Sequence, residues 1–568
     1  MATSAAHSPS PENDAAAGSV LAHTSTGVIA GERSGRLSVF RGIPYAAPPV
    51  GDLRFASPRP AAPWSGVRDA TAFAPESLQP IIPGSAEDSL YANVWTPATP
   101  AAPATDGDAE GGGEGGAGGA KPVLVYIHGG GWMVGGGSLP VYDGARLADR
   151  GDLVVVTFNY RLGALGFGLH EEFTDPDTGH FANWGLQDQA ALLRWVHENA
   201  PAFGGDPGNI TVAGTSAGGA STWQLALLPE LRGIIRRIVP ISACHVWEPS
   251  TSLSPADSRQ AYESVARRLG TTVPGLRDVP AADVMGAWEE VFGGLPGERE
   301  VGSGREFRGP VVDGRWMSAF DYELPTPEVP VLAVHARTEG SFYTGPCPPQ
   351  PTPTPPPADA AELREAVRGV LEKGMDKVPY ELADACISAY REAAEADGLA
   401  QDPLSLWTEI WGDALFRYQI MRLSERHARH GRSPQYVMEF AYPVRPPHHG
   451  TPHEATSPFL FGTYGDPAAV SATYPVPETV PLFHDGPHER AVSETFMDLV
   501  AAFARDGVPT GAGGTPSGSW GSAPAWPVFD PERPSTLVLG GEQVAEIATT
   551  SKLRQLRFWD ESGWVPRT

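Results

Sequence analysis

Cysteine is nearly absent from this chain, with three in 568 residues, at positions 244, 347 and 386. Their number is odd and their spacings long. That excludes a disulfide scaffold, a CxxC pair and a zinc framework, leaves room for one bridge at most, and fits a reducing compartment. Long apolar runs are also missing. No segment approaches the ~18 consecutive apolar residues of a membrane span, and the N-terminus has no basic stretch leading into an apolar one. The expectation is a soluble, cytoplasmic protein without a membrane partner. Basic charge is scarce as well: 41 Lys and Arg stand against 67 Asp and Glu, for a net charge of −26. Such a surface repels phosphate backbones and anionic lipid, which argues against nucleic-acid and membrane-surface roles.

What the chain does have is apolar content of 41% and aromatic content of 9%, enough for a sizeable core. Residues 1–22 read as a disordered tail, and short alternating runs after them point to antiparallel strands. Residues 98–120 are low-complexity and read as a flexible loop, and 344–359 as a proline-rich extended loop. A formal G-x-G-x-x-G at Gly111, Gly113 and Gly116 has no strand before it and no helix after it, so it is not a dinucleotide site. Between these breaks, strands and helices alternate. Residues 122–129, 152–160, 209–214, 329–336 and 434–440 are short β-rich apolar runs, the mark of buried parallel strands. Leu186, Ala190, Leu193 and Val196 mark one amphipathic helix, and Phe496, Leu499, Val500 and Phe503 another, closed by Gly507. The order predicts an α/β domain with a large, mostly parallel sheet covered by helices on both faces. Residues 23–568 are expected to form one domain with helical insertions.

Residues 209–221 read NITVAGTSAGGAS, with Ser216 at the centre of a G-x-S-x-G. Glycines on either side of a serine between a strand and a helix permit a strained turn that lifts the hydroxyl above the sheet. The helix start adds partial positive charge where an oxyanion would develop, and the N–H of Ala217 is the natural first donor. HGGGW, His128 to Trp132, follows an earlier strand. Its side-chain-free Gly130 and Gly131 can turn backbone N–H groups toward a bound carbonyl, and Trp132 is expected to line the pocket.

In combination these blocks resemble the type-B carboxylesterases, the α/β-hydrolase-fold family that includes para-nitrobenzyl esterases and cholinesterases. The similarity runs from about Gly27 to Pro527 and includes FRGIPYAAPPVGDLRF, EDSLYANVWTP, NYRLGALGF, FGGDPGNITVAGTSAGG and FARDGVP. The resemblance implies a triad in the order serine, acid, histidine. Its acid falls on Glu339 in HARTEGSF, with Thr338 where the family has aspartate. Its base falls on His453 in GTPHEATSPFLFG, leaving His448 and His449 as surface residues. It also implies ion pairs of Arg54 with Glu87 and of Arg161 with Asp188. HEATS lacks the second histidine of a zinc motif, so no metal is expected, and the chemistry needs no cofactor.

The chain departs from the pattern in two connected places. Thr215 stands where relatives commonly have glutamate before the serine, and Thr456 where they have glutamate three residues after the base. The two threonines are expected to share hydrogen bonds, leaving less negative potential around His453. Ser77 and Ser89 occupy positions where secreted relatives pair cysteines. The expected function is hydrolysis of small to medium neutral carboxylic esters through an acyl-enzyme. Amidase, carbamate hydrolase, thioesterase and acyltransferase chemistry would use the same groups, and a binding protein on this fold would lose them. No feature of the sequence sets an oligomeric state.

Overall fold

The computed structural model describes residues 19–97, 119–244, 251–293, 308–345, 356–373, 375, 377–446, 448–474, 481–509 and 526–564. Among the described residues, thirteen strands form one sheet. They are β1 Ser19–Thr24, β2 Gly27–Ser34, β3 Leu37–Pro44, β4 Val67–Asp69, β5 Tyr91–Thr96, β6 Lys121–Ile127 and β7 Val154–Phe158. The second half contributes β8 Gly205–Thr215, β9 Ile235–Ile241, β10 Val331–Ala336, β11 Gln435–Phe440, β12 Ser535–Leu539 and β13 Ala545–Thr549. Their order is β1-β2-β3-β5-β7-β6-β8-β9-β10-β11-β12-β13, with β4 beside β2. From β7 to β12 every pairing is parallel, while β1-β2-β3-β5-β7 and β12-β13 are antiparallel.

Burial explains the parallel centre. Every residue of VVVTF, VLAVHA and QYVMEF is buried. Successive side chains in a strand point to opposite faces, so such a run needs cover on both. The two helices expected from periodicity are Trp184–Asn199 and Pro487–Asp506. The second ends in Gly507 at φ 76°, the left-handed cap that glycine adopts without strain.

Three boundaries differ from expectation. Residues 19–22 belong to β1, so order begins inside the segment read as a tail; the alternation of Ser19–Thr24 pairs it with β2. Residues 1–18 and 98–118, including Gly111, Gly113 and Gly116, lie outside the described residues, as do 346–355 of the proline-rich loop. At the edges of that loop, Thr344 ends a helical turn and Asp359 caps the helix Ala360–Leu371. Among the described residues no helix is long and apolar enough to cross a membrane.

A second aromatic cluster underlies the helical insertion at Pro255–Phe292. Phe55 stacks on Phe173 with ring centroids 4.1 Å apart, and Trp184, Tyr262 and Trp288 complete it. The side chain of Arg54 ties this layer to the segment that leads into β5, donating to Glu87 Oε2 at 2.7 Å and to the carbonyl of Leu276 at 2.8 Å. Arg161 and Asp188 also pair, fully buried and doubly bonded at 2.7 and 2.8 Å. Both expected ion pairs are present.

Candidate active site

Strand β8 lies between β6 and β9, parallel to both, and delivers Ser216 at its carboxyl end. The backbone of Ser216 has φ 56° and ψ −121°, a conformation that few side-chain-bearing residues adopt, and the helix Ala217–Leu227 starts at the next residue. Space, not only flexibility, requires the glycines beside it. A Cβ on Gly218 would collide with the carbonyl of Ile127 and sit 2.7 Å from that of His128, and one on Gly214 would lie 2.6 Å from Gly218. The helix therefore seats directly on the HGGGW loop.

In that loop Gly130 has φ 110° and Gly131 φ 61°, both in the region that favours glycine. Among the described residues no hydrogen bond is donated by the N–H of Gly130 or Gly131. Ala217, as the first helical residue, has no intrahelical acceptor. His128 is stacked on Tyr160 at 4.4 Å and held by burial down at about 4, so it is neutral. Trp132 is fully buried, with its indole N–H 3.4 Å from Ser221 Oγ and its ring against Phe167 and Gly309. These contacts pack the indole against the wall behind the oxyanion loop.

Glu339 sits in the turn after β10, and His453 in the loop before the helix Thr456–Phe461. The structure brings them together: His453 Nδ1 is 2.7 Å from Glu339 Oε2. The other carboxylate oxygen accepts from the Ala336 N–H at 2.7 Å and from Ser242 Oγ at 2.8 Å. Burial opposes the charge on Glu339, but these hydrogen bonds outweigh it and hold the carboxyl below its ordinary value. The imidazole is enclosed by aromatic rings, of which Phe416 is nearest at 4.1 Å between centroids. Phe416 belongs to a single π-helical turn, Asp413–Arg417, an insertion that recurs at functional sites.

Ser216 is not hydrogen-bonded to His453. Its Oγ instead pairs with Cys244 Sγ at 3.9 Å, and the buried Nε2 of His453 has no partner among the described residues. His448 is half-buried and His449 exposed. No group of three or more metal-ligating side chains occurs among the described residues.

The chain matches the Carboxylesterase family over residues 18–559. It belongs to the carboxylesterase family. It is 31% identical to the phenmedipham hydrolase of Pseudarthrobacter oxydans, covering 93% of this chain and 96% of that one. With the para-nitrobenzyl esterase of Bacillus subtilis (strain 168) it shares 29%, covering 94% and 98%. Its fold superposes on a crystal structure of Geobacillus stearothermophilus carboxylesterase with a TM-score of 0.72 at 28% identity, covering 95% of this chain and all of the other.

Two neighbours of this carboxylesterase site escape a sequence reading. Phe416 reaches His453 through a π-turn that leaves no mark in residue periodicity. Glu454 is buried beside the HGGGW loop, and among the described residues no hydrogen bond links the hydroxyls of Thr215 and Thr456. The carboxylate absent at 215 and 456 is thus present at 454. Spacing from the base singles out 456. The turn that carries 454 inward, at φ 69°, is set by the fold.

Proposed function

We propose that this carboxylesterase cleaves small to medium neutral esters at Ser216, with His453 as base and Glu339 as its orienting acid. The observation that carries the reading is the buried 2.7 Å hydrogen bond between His453 and Glu339, formed across 114 residues of chain, with Ser216 on a strained turn at the end of the central strand. Nothing in packing alone requires a buried carboxylate and a buried imidazole to meet there.

In the reaction, the Ser216 hydroxyl turns from Cys244 to Nε2 of His453 and attacks the ester carbonyl while the imidazole takes its proton. Catalytic hydrogen bonds are commonly long before substrate binds and shorten in the complex. Glu339 fixes the tautomer that presents Nε2 and stabilises the imidazolium. The N–H groups of Gly130, Gly131 and Ala217 receive the oxyanion, each worth about 3–4 kcal/mol of transition-state stabilisation. The imidazolium then protonates the departing alcohol, leaving the acyl group on Ser216, and a water deprotonated by His453 releases the acid. The reaction needs no metal or cofactor. The paired serines at 77 and 89 support a reducing, cytoplasmic setting.

A second reading, carbamate hydrolysis at the same serine, is favoured by the likeness to the phenmedipham hydrolase. Both readings are tested by fluorophosphonate labelling and peptide mapping. Label on Ser216 that disappears in His453→Ala supports the triad. A native protein that takes no label contradicts it. A panel of matched esters, carbamates, amides and thioesters then separates the substrate classes.

A further inference from the structure

Glu454 follows His453 directly, in left-handed backbone at φ 69°, and is 4% exposed. Its Oε2 accepts from Ser457 Oγ at 3.2 Å, and Ser457 Oγ lies 3.0 Å from the hydroxyl of Tyr126 on β6. Its Oε1 lies over the HGGGW loop. A Cβ built on Gly129 would stand 2.6 Å from that oxygen and 3.1 Å from both Ser216 Cβ and Thr215 Cγ2. The carboxylate is therefore wedged between the oxyanion loop, the nucleophile turn and the base.

The titratable groups that feel this carboxylate are Tyr126, Tyr142, Tyr160, Tyr343, Tyr474, Cys244 and Glu339. All are neutral or acidic. Among the described residues, the one group acting on Glu454 that can become positive is His453; no lysine or arginine does so. A buried carboxylate without a counter-ion is costly. Beyond the Ser457 hydrogen bond, that cost is relieved when the imidazole takes a proton, and the relief is mutual, because the carboxylate favours the imidazolium as much as the imidazolium favours the carboxylate.

We propose that Glu454 is a positioning residue whose carboxylate favours the protonated imidazole of His453, the state the base enters while Ser216 is acylated. The inference rests on the assignment of His453 as base. Burial pushes the Glu454 carboxyl above its ordinary value, so the ionised form that supports the base is gained as pH rises.

The test is kcat/KM and kcat against pH, with one neutral aryl ester, for the native protein, Glu454→Gln, Glu454→Asp and Ser457→Ala, with thermal midpoints measured on each. Glu454→Gln keeps the shape and loses the charge. Its plateau kcat is expected to fall about tenfold with KM nearly unchanged, and its acid limb to move about one unit to lower pH. Glu454→Asp restores most of the native rate and limb. Ser457→Ala, which withdraws a hydrogen bond from the ionised carboxylate, lowers the plateau in the same direction but less. A folded Glu454→Gln with the native plateau and limb overturns the proposal, and so does equal impairment of Gln and Asp with an unmoved limb. Should Gln not fold, an unchanged plateau in Ser457→Ala overturns it. If His453→Ala keeps the native rate, the base assignment itself has failed. If His453→Ala is inactive and the Gln profile matches the native one, only the role of Glu454 falls.

Discussion

The hydroxyls of Ser77 and Ser89 are 2.9 Å apart and buried, and Ser77 also donates to the carbonyl of Tyr160 at 2.7 Å. Two buried side chains that touch in this way are close enough to test as a bridge. The double substitution Ser77→Cys/Ser89→Cys is expected to close a disulfide under mild oxidation. A loop this short gains about 3 kcal/mol from the constraint on the unfolded chain. Intact mass, thiol titration and denaturant midpoints check this. Two thiols that stay reactive after oxidation would contradict it.

Gly218 is expected to be intolerant of even one methyl group. Its Cβ would enter the space of the Ile127 and His128 carbonyls, on the strand and loop that carry Gly130 and Gly131. Overpacking of this kind costs about 1–3 kcal/mol. Here it also pushes the helix Ala217–Leu227 off the loop. Gly218→Ala should therefore lose most of kcat while remaining folded at low temperature. Circular dichroism and steady-state rates on one sample test this; a variant with native kcat would show that the close seat does not matter.

Glu76 gives stability a pH dependence of known sign. It is buried beneath the loop after HGGGW, with Oε1 accepting from the Ser138 N–H at 3.0 Å, and burial pushes it up from 4.5 to about 7. Between those values the native state keeps a proton that the unfolded chain has released. The folded state therefore loses relative stability as pH rises through this window, by roughly 3 kcal/mol at its top. His128 and His335 act in the opposite direction. Burial holds both at about 4, so the unfolded chain binds the extra protons between there and 6.5, and stability rises with pH. Glu76→Gln isolates the carboxyl. Its stability relative to the native protein should grow between pH 5 and pH 8, and parallel curves would contradict the burial argument.

Much of this centre is legible in the sequence because its requirements are local. Gly214, Ser216 and Gly218 must be adjacent to make the turn, and VVVTF or VLAVHA can only be strands buried on both faces. The strand IRRIVPI is harder to read, since two arginines and a proline interrupt its apolar run, yet Ile235–Ile241 sits in the middle of the sheet. Partnerships across the chain are less accessible still. That Glu339 meets His453 follows from family order, not from spacing. That Glu454 turns inward while Thr215 and Thr456 do not pair depends on a left-handed turn and on the packing of Gly129, which no single residue announces.

The account stands on Ser216, His453 and Glu339 acting as one unit, and the most direct measurement is kcat/KM for Ser216→Ala, His453→Ala and the double variant on one activated ester. Residues of a shared relay are non-additive: removing one forfeits what the other supplies, and single losses reach about a millionfold. The prediction is that each single variant is severely impaired and that the double is no worse than the weaker single. Losses that multiply, or a Ser216→Ala variant with native turnover, would contradict it.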